Sequence, residues 1–118
     1  MQVNQLLQNA KVADSTAVDN GTATATCATA AEERAYLTGF IASFSAAVAL
    51  IKTITITYTG EDDVAKSIVI AWDFANGPAI VSLPGICRAK TGGDITVALA
   101  ASGTGGTTGR VYAFYALG

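Results

Sequence analysis

Histidine is absent from this 118-residue chain, and cysteine, methionine, tryptophan and proline each occur only once or twice. Without histidine the chain lacks the commonest general base and the commonest metal-ligating side chain. A Ser–His–Asp or Cys–His arrangement within one chain is therefore excluded, and two cysteines alone are too few for a structural zinc site. We predict a protein that is not an enzyme and has no catalytic residues, no metal and no cofactor.

Charged residues are also scarce: they make up 14% of the chain, against 51% hydrophobic residues, and the net charge is −2. The seven basic residues are scattered, so the sequence lacks the clustered footprint of a nucleic-acid-binding protein. No apolar run approaches the roughly 20 residues of a membrane helix, and the first 15 residues lack the features of a secretory signal. We predict neither a nucleic-acid nor a membrane partner, and a surface that other protein partly covers.

The two cysteines, Cys27 and Cys87, both lie in strand-like runs. A free cysteine in such a run behaves as a small buried hydrophobe. One potential pair does not make a disulfide scaffold, so the sequence leaves open whether the two are joined.

Short runs in which apolar and small polar residues alternate follow one another after residue 20. TATATCAT (Thr22–Thr29), TITIT within Leu50–Gly60 and SIVIAWDF (Ser67–Phe74) show the period of two that is typical of strands. About eight such runs, separated by Gly, Pro and Asn turn signals, predict an all-β protein. We expect a single antiparallel β-sandwich or jelly roll over residues 21–118. The polar residues 1–20 are predicted to be an extended N-terminal arm that lies on a neighbouring subunit, or else a disordered terminus.

The large side chains of the clearest strands share one face, and we expect them to form the core, with Trp72 among them. The opposite faces carry Thr, Ala, Ser and Val, which favours packing against another subunit. Gly39 inside a strand predicts a bulge or a close backbone approach. The candidate interface residues are the isolated apolar residues of the arm and the aromatic residues of the C-terminal strand: Val3, Leu6, Leu7, Val12, Tyr112, Phe114 and Tyr115.

The glycine-rich stretch ASGTGGTTGR (Ala101–Arg110) has the composition of a phosphate-binding loop but not its spacing. The outer glycines are one residue too far apart for a Walker loop, Arg110 replaces the lysine, and Val111 replaces the Ser or Thr. The GxGxxG pattern also fails, since its third glycine would fall on Thr108. A strand follows where a phosphate site needs a helix, so we predict a hairpin connection in which glycine supplies positive φ angles.

The sequence contains two clusters of consecutive acidic residues, Glu32–Glu33 and Glu61–Asp63. Glycosidases need carboxyls that face each other across a cleft, whereas neighbours in a loop point outward. Weak calcium binding at Glu61–Asp63 stays open, although no EF-hand spacing is present. A sugar platform built from Trp72 and the tyrosines also stays open.

Three stretches carry a resemblance to a known group: RAYLTGFIASFSAA (Arg34–Ala47), VSLPGICRA (Val81–Ala89) and ITVALAASGTGGTTGRVYAFYALG (Ile95–Gly118). Together they resemble small jelly-roll or β-sandwich virion structural proteins of tailed bacteriophages, which decorate capsids or form the base of head fibres. The resemblance covers Gly21 to the C-terminus. It implies oligomers, often trimers, on a capsid lattice, and no catalytic residues.

The resulting functional hypothesis is a capsid decoration or cement protein on the capsid surface of a virion, assembled in the host cytoplasm. It would form a homo-oligomer, with a trimer favoured, and would stabilise the shell by binding across subunits of the major capsid protein. The alternative is a carbohydrate- or receptor-binding module of a fibre or tail. A capsid-forming jelly roll is a third hypothesis.

Overall fold

A computed structural model describes residues 10–48 and 50–118 of the chain. Those residues form nine strands and one short 3-10 turn, Phe74–Asn76. The strands are β1 (Ala10–Asp14), β2 (Val18–Asp19), β3 (Ala23–Cys27), β4 (Ala35–Phe44), β5 (Ile51–Thr59), β6 (Ala65–Asp73), β7 (Ala79–Arg88), β8 (Ile95–Leu99) and β9 (Thr108–Leu117). The predicted all-β class is confirmed. Among the described residues, no helix has the length and apolar content to cross a membrane.

The strands form two antiparallel sheets. Sheet A has the order β1-β9-β4-β7, with β2 also paired to β9, and sheet B has the order β3-β8-β5-β6. The strands are paired antiparallel in nested order along the chain: β5 pairs with β6, β4 with β7, β3 with β8 and β1 with β9. Because successive pairs alternate between the two sheets, the sandwich is a jelly roll.

The core lies between the sheets and is built from the inward positions of each strand. On β5, Ile54 and Ile56 are fully buried, whereas Thr53 and Thr57 are exposed. This is the alternation that the sequence predicted, because successive strand residues point to opposite faces.

The two cysteines are buried and free. Cys27 lies on the inward face of sheet B and Cys87 on that of sheet A, and both have no exposed surface. Burial in apolar surroundings disfavours the thiolate, which raises the pKa of Cys27 to about 12 and also raises the pKa of Cys87.

Strand β7 corrects one sequence prediction. The Pro84–Gly85 pair predicts a turn between two short strands, but Ala79–Arg88 is one continuous strand. Its pairing with β4 shifts, since Ser82 lies opposite Gly39 while Cys87 lies opposite Leu37. The extra residues of β7 form a bulge, and proline is tolerated there because β7 is an edge strand of the sheet that the described residues form.

The N-terminal segment is corrected in part. Val12 and Ala13 lie in β1 and Val18 lies in β2, and both strands pair with β9 of the same chain. Residues 10–19 therefore belong to the sandwich, and the predicted boundary at residue 20 is too late for them. The rest of the predicted arm, residues 1–9, lies outside the described residues.

The glycine-rich loop is also corrected. It joins β8 of sheet B to β9 of sheet A, so it arches between the sheets and is not a hairpin. The predicted positive φ angles are present at Gly103 (82°) and Gly106 (86°). The Gly103 amide donates to the Asn20 side chain at 2.9 Å, and the Gly106 amide donates to the Asp19 carboxylate at 2.8 Å. Side chains of the same chain thus occupy two amides of this loop.

Candidate functional site

Five apolar and aromatic side chains meet on the outer face of sheet A. One register row across the sheet runs Val12–Phe114–Gly39–Ser82, and the adjacent row runs Asp14–Tyr112–Ile41–Ile80. Directly opposed residues share a face and have Cβ atoms about 5 Å apart. We call this surface the apolar platform, made of Val12, Ile41, Ile80, Tyr112 and Phe114.

The platform side chains are accessible to solvent. Val12 is 57% exposed and Ile80 is 68% exposed, while the other three are half-buried. On β9 the inward positions are taken by Val111, Ala113 and Tyr115, all of which are buried. The strand therefore places apolar residues on both of its faces, and within the described part of the chain only the inward set packs against the opposite sheet.

A depression of about 310 Å3 opens at the centre of the platform, and Ile41, Ile80 and Phe114 are among the residues that line it. It exists because Gly39 lies at the β4–β7 register shift and has no side chain. A Cβ atom at Gly39 would lie 2.6 Å from the carbonyl oxygen of Val81, which is far inside van der Waals contact. The sequence prediction of a bulge and a close backbone approach at Gly39 is confirmed.

The charges beside the platform neutralise each other. The Arg110 guanidinium donates to the Asp14 carboxylate, with Nε 3.0 Å from Oδ1, and lies over the Tyr112 ring at 4.9 Å from its centroid. The hydrogen bond from Arg110 is the main reason that the pKa of Asp14 is below its usual value. At this side of the platform the two charges are therefore paired, and Arg110 covers one face of the Tyr112 ring.

The predicted interface residues divide into three groups. Val12, Tyr112 and Phe114 come together in the platform, as described above. Tyr115 is wrong as an exposed interface residue, because it occupies an inward position of β9 and is only 9% exposed. The remaining candidates, Val3, Leu6 and Leu7, lie outside the described residues.

Sequence reasoning missed Ile41 and Ile80. Both lie in strands that carry apolar residues on both faces, which was the only signal available in the sequence. Their place beside Tyr112 depends on the pairing of β4 with β7 and β9. Periodicity within one strand does not show that pairing.

Each carboxylate of the acidic cluster Glu61–Asp63 forms ion pairs with different basic side chains. Glu61 bridges Arg34 at 2.6 Å and Arg88 at 2.8 Å. Asp62 pairs with Lys66 and Asp63 pairs with Lys90, each at 3.0 Å. The three carboxylates do not converge on one point, and the described residues contain no group of three or more acidic or cysteine side chains placed to hold a metal ion. The second acidic pair has a local role, since Glu33 accepts from the Ala30 amide at 2.9 Å.

The opposite end of the sandwich carries a larger open depression of about 440 Å3. It is lined by Phe44, Phe74 and small or uncharged residues of the β4–β5 and β6–β7 connections, so no charged side chain faces it. The two phenylalanine rings pack edge to face, with centroids 4.8 Å apart. This depression offers shape and apolar surface but no reacting group.

The predicted place of Trp72 in the core is only partly realised. Its ring packs against the core but stays half-exposed, and its indole N–H donates to the Gly77 carbonyl at 3.3 Å. Trp72 lies on β6 of sheet B, whereas Tyr112 lies on sheet A. The tryptophan and that tyrosine therefore do not form a common platform.

Comparison with known proteins gives only distant likenesses. No family model and no curated protein matches the chain. Among solved structures, it is similar to a family 32 carbohydrate-binding module of C. perfringens NanJ in complex with galactose, with 13% identity and a TM-score of 0.41 over 91% of this chain and 94% of the other. It is also similar to a family 16 carbohydrate-binding module (8% identity, TM-score 0.39, 86% of this chain and 74% of the other). A third similar structure is the arabinose-bound MgGH51 α-L-arabinofuranosidase (13% identity, TM-score 0.39, 95% of this chain and 22% of the other). TM-scores this low carry no argument about what this chain does.

Proposed function

We propose that this chain is a non-enzymatic structural protein that docks onto other protein subunits through the apolar platform. The single observation that carries the proposal is that five large apolar side chains are contiguous and accessible on one sheet face. Soluble monomers rarely expose such a surface without a use for it, and aromatic residues are enriched where proteins meet.

A protein surface fits the central depression better than a polar ligand does. Its lining is mainly apolar, and the Thr38 hydroxyl already donates to the Phe114 carbonyl at 3.0 Å. A small polar ligand needs several directed polar groups. An aliphatic or aromatic side chain of a partner needs only the shape and the apolar walls.

The setting that the sequence resemblance suggests is a virion, where the platform would bind across neighbouring capsid subunits as a decoration or cement protein. Burial of apolar surface contributes about 25 cal/mol per Å2, so several hundred Å2 per copy is a large gross term before association costs. Repeated over a shell, that contribution would oppose the opening of joints under internal pressure.

The test compares two aspartate variants on opposite sheets, Ile80→Asp and Thr57→Asp. Both positions are exposed on outer faces, so both variants should keep the wild-type unfolding temperature to within a few degrees. Ile80→Asp places a charge beside the depression and should abolish co-sedimentation with stripped particles, whereas Thr57→Asp should bind as the wild type does.

The functional readout is the temperature at which particles release DNA. Particles stripped of the protein should release DNA at a lower temperature, and added wild-type protein should restore the original one. Unchanged release from stripped particles would contradict the cement role. Equal binding of the two aspartate variants would contradict the platform as the docking surface.

A second candidate function is carbohydrate binding, and one observation favours it. Tyr36 lies opposite Ala116, in the outward row next to that of Phe114, so Tyr36, Phe114 and Tyr112 share the outer face of sheet A. Sugar rings stack on such surfaces through their apolar C–H faces. A glycan array should show binding that Tyr112→Ala weakens, and an array without signal would exclude this function.

A further inference from the structure

The four edges of the sandwich are not equally protected against pairing with another chain. In the described residues, β1 and β7 are the edges of sheet A, and β3 and β6 are the edges of sheet B. β1 and β3 have only five residues each, and β7 carries a bulge and a proline. Short strands, bulges and prolines are devices that prevent edge-to-edge association. β6 has none of them.

Strand β6 is long and regular. All nine residues, Ala65–Asp73, pair with β5 without a register shift, and the strand contains no glycine or proline. Within the described part of the chain, β6 hydrogen-bonds to β5 alone, so its other side presents a row of backbone donors and acceptors. Such a row is a template for strand addition.

The side chains of β6 are also incompletely covered. Its inward residues Ile68, Ile70 and Trp72 are only half-buried, although they pack against the core. The inward residues of the other edge of sheet B, on β3, have no exposed surface at all. The outward Val69, at the middle of β6, is 62% exposed. Both faces of β6 thus have apolar area to bury.

We propose that β6 pairs antiparallel with β6 of a second copy about a two-fold axis at Val69, which joins two B sheets into one eight-stranded sheet. This interface is distinct from the apolar platform, which lies on sheet A, and it does not depend on the proposed function. A two-fold interface is self-complementary, and the β6 sequence satisfies this requirement.

The register centred on Val69 matches each residue with a suitable partner. Ile68 meets Ile70 of the second copy, and Ser67 meets Ala71 of the second copy. At the ends, Lys66 meets Trp72 of the second copy, and Ala65 meets its Asp73. No like charges are opposed, and a lysine opposite an indole ring is favourable.

Two cysteine variants test the edge and the register together. In Val69→Cys the two new thiols lie directly opposite across the axis, where Cβ atoms are about 5 Å apart, close to disulfide distance. In Ser67→Cys the two thiols lie four residues apart along the strands, or about 13 Å, which is too far. Native Cys27 and Cys87 are fully buried and provide no competing surface thiol.

Under mild oxidation we expect Val69→Cys to form a covalent dimer on a non-reducing gel and Ser67→Cys to stay monomeric. Equal crosslinking of the two variants, or crosslinking of Ser67→Cys alone, would overturn the proposed pairing. So would a wild-type solution mass of a monomer or a trimer.

A lysine pair gives a second, non-covalent test. Val69→Lys opposes two lysines across the axis and should raise the dimer dissociation constant at least about tenfold, because like charges directly opposite destabilise a strand pair. Thr24→Lys places the same charge on β3, the other edge of sheet B, and should leave the dimer intact. Dissociation of both variants, or of neither, would contradict the assignment to β6.

Trp72, the single tryptophan, reports on the same interface. Its half-exposed ring should become more buried in the dimer, so wild-type emission should shift to longer wavelength on dilution. Val69→Lys should show the long-wavelength emission at every concentration. Because these measurements use the isolated protein, their outcome is independent of whether the platform binds capsid subunits.

Discussion

The outer faces of the two sheets differ although both sheets bury the same kind of core. Sheet A presents the apolar platform. Sheet B presents a row of hydroxyls across all four strands, Thr26, Thr96, Thr57 and Ser67, followed by a row of Thr24, Ala98, Thr55 and Val69. A threonine face is satisfied by water, since each hydroxyl donates and accepts. The aromatic and aliphatic side chains on the outer face of sheet A contribute favourable free energy only when another surface covers them.

This difference leads to a docking proposal other than the one that the sequence pattern favours. The bland threonine and alanine faces were expected to be the surfaces that other subunits cover. In the structure, the aromatic and aliphatic side chains are contiguous on the outer face of sheet A, whereas the outer face of sheet B is mostly small and hydroxylated, apart from the exposed Ile51 and Val69. The proposed docking surface therefore rests on apolar area left outside, and not on polar groups that are missing.

The largest effect that sharpens this contrast is expected at the depression of sheet A. Gly39→Ala would force a Cβ atom against the Val81 carbonyl oxygen, so β4 or β7 must shift. We expect a loss of about 2–3 kcal/mol in the free energy of unfolding, measured by urea denaturation. Gly105→Ala is the matched control, since no atom lies within 4 Å of the added Cβ, and it should change stability by less than about 0.5 kcal/mol. A neutral Gly39→Ala would show that the close approach does not shape the depression.

The next effect concerns the inward faces and appears at high pH. The folded state holds the pKa of Cys27 at about 12, whereas an unfolded thiol titrates near pH 8.5. Above that pH the unfolded chain releases the proton and the folded chain does not, so stability is present below about pH 8.5 and declines as the pH rises toward 12. The decline approaches about 1.4 kcal/mol per pH unit for this thiol.

The measurement is the free energy of unfolding between pH 7 and 10.5 for the wild type and Cys27→Ala. The variant starts less stable, because it loses buried volume, but its profile should fall less steeply by the contribution of one thiol. Parallel profiles would show that Cys27 titrates alike in both states. In the wild type, neither cysteine should react with a thiol reagent at pH 8 until the protein unfolds.

The smallest effect is expected on the outer face of sheet B. Thr57→Val exchanges the central hydroxyl of the row for a methyl group of similar size, at an exposed position. Stability should change by less than about 0.5 kcal/mol in urea denaturation. A loss above about 1 kcal/mol would mean that the hydroxyl row is a structural network, and the contrast between the two faces would need revision.

Much of the fold was predictable because it depends on local pattern. The alternation in TITIT predicted that Ile54 and Ile56 are buried, and the glycine at position 39 predicted a close approach between backbones. The turn predicted at Pro84–Gly85 was wrong, because the bulge that accommodates this pair within β7 depends on the pairing with β4. The hairpin predicted at Ala101–Arg110 failed for a similar reason, since the two flanking strands belong to different sheets. The candidate site was predictable in part: the sequence named Val12, Tyr112 and Phe114, which lie together in the platform, while Ile41 and Ile80 needed the pairing of β4 with β7.

The sequence by itself determined the strand periods, the turn positions rich in glycine and asparagine, and the absence of histidine chemistry, because each of these depends on residues near one another in the chain. The tertiary structure decided which strands are neighbours and, among the described residues, which apolar face stays outside and which edge stays open. These properties arise from pairings between distant segments, such as β1 with β9, and the jelly-roll topology sets them through contacts that no local pattern encodes.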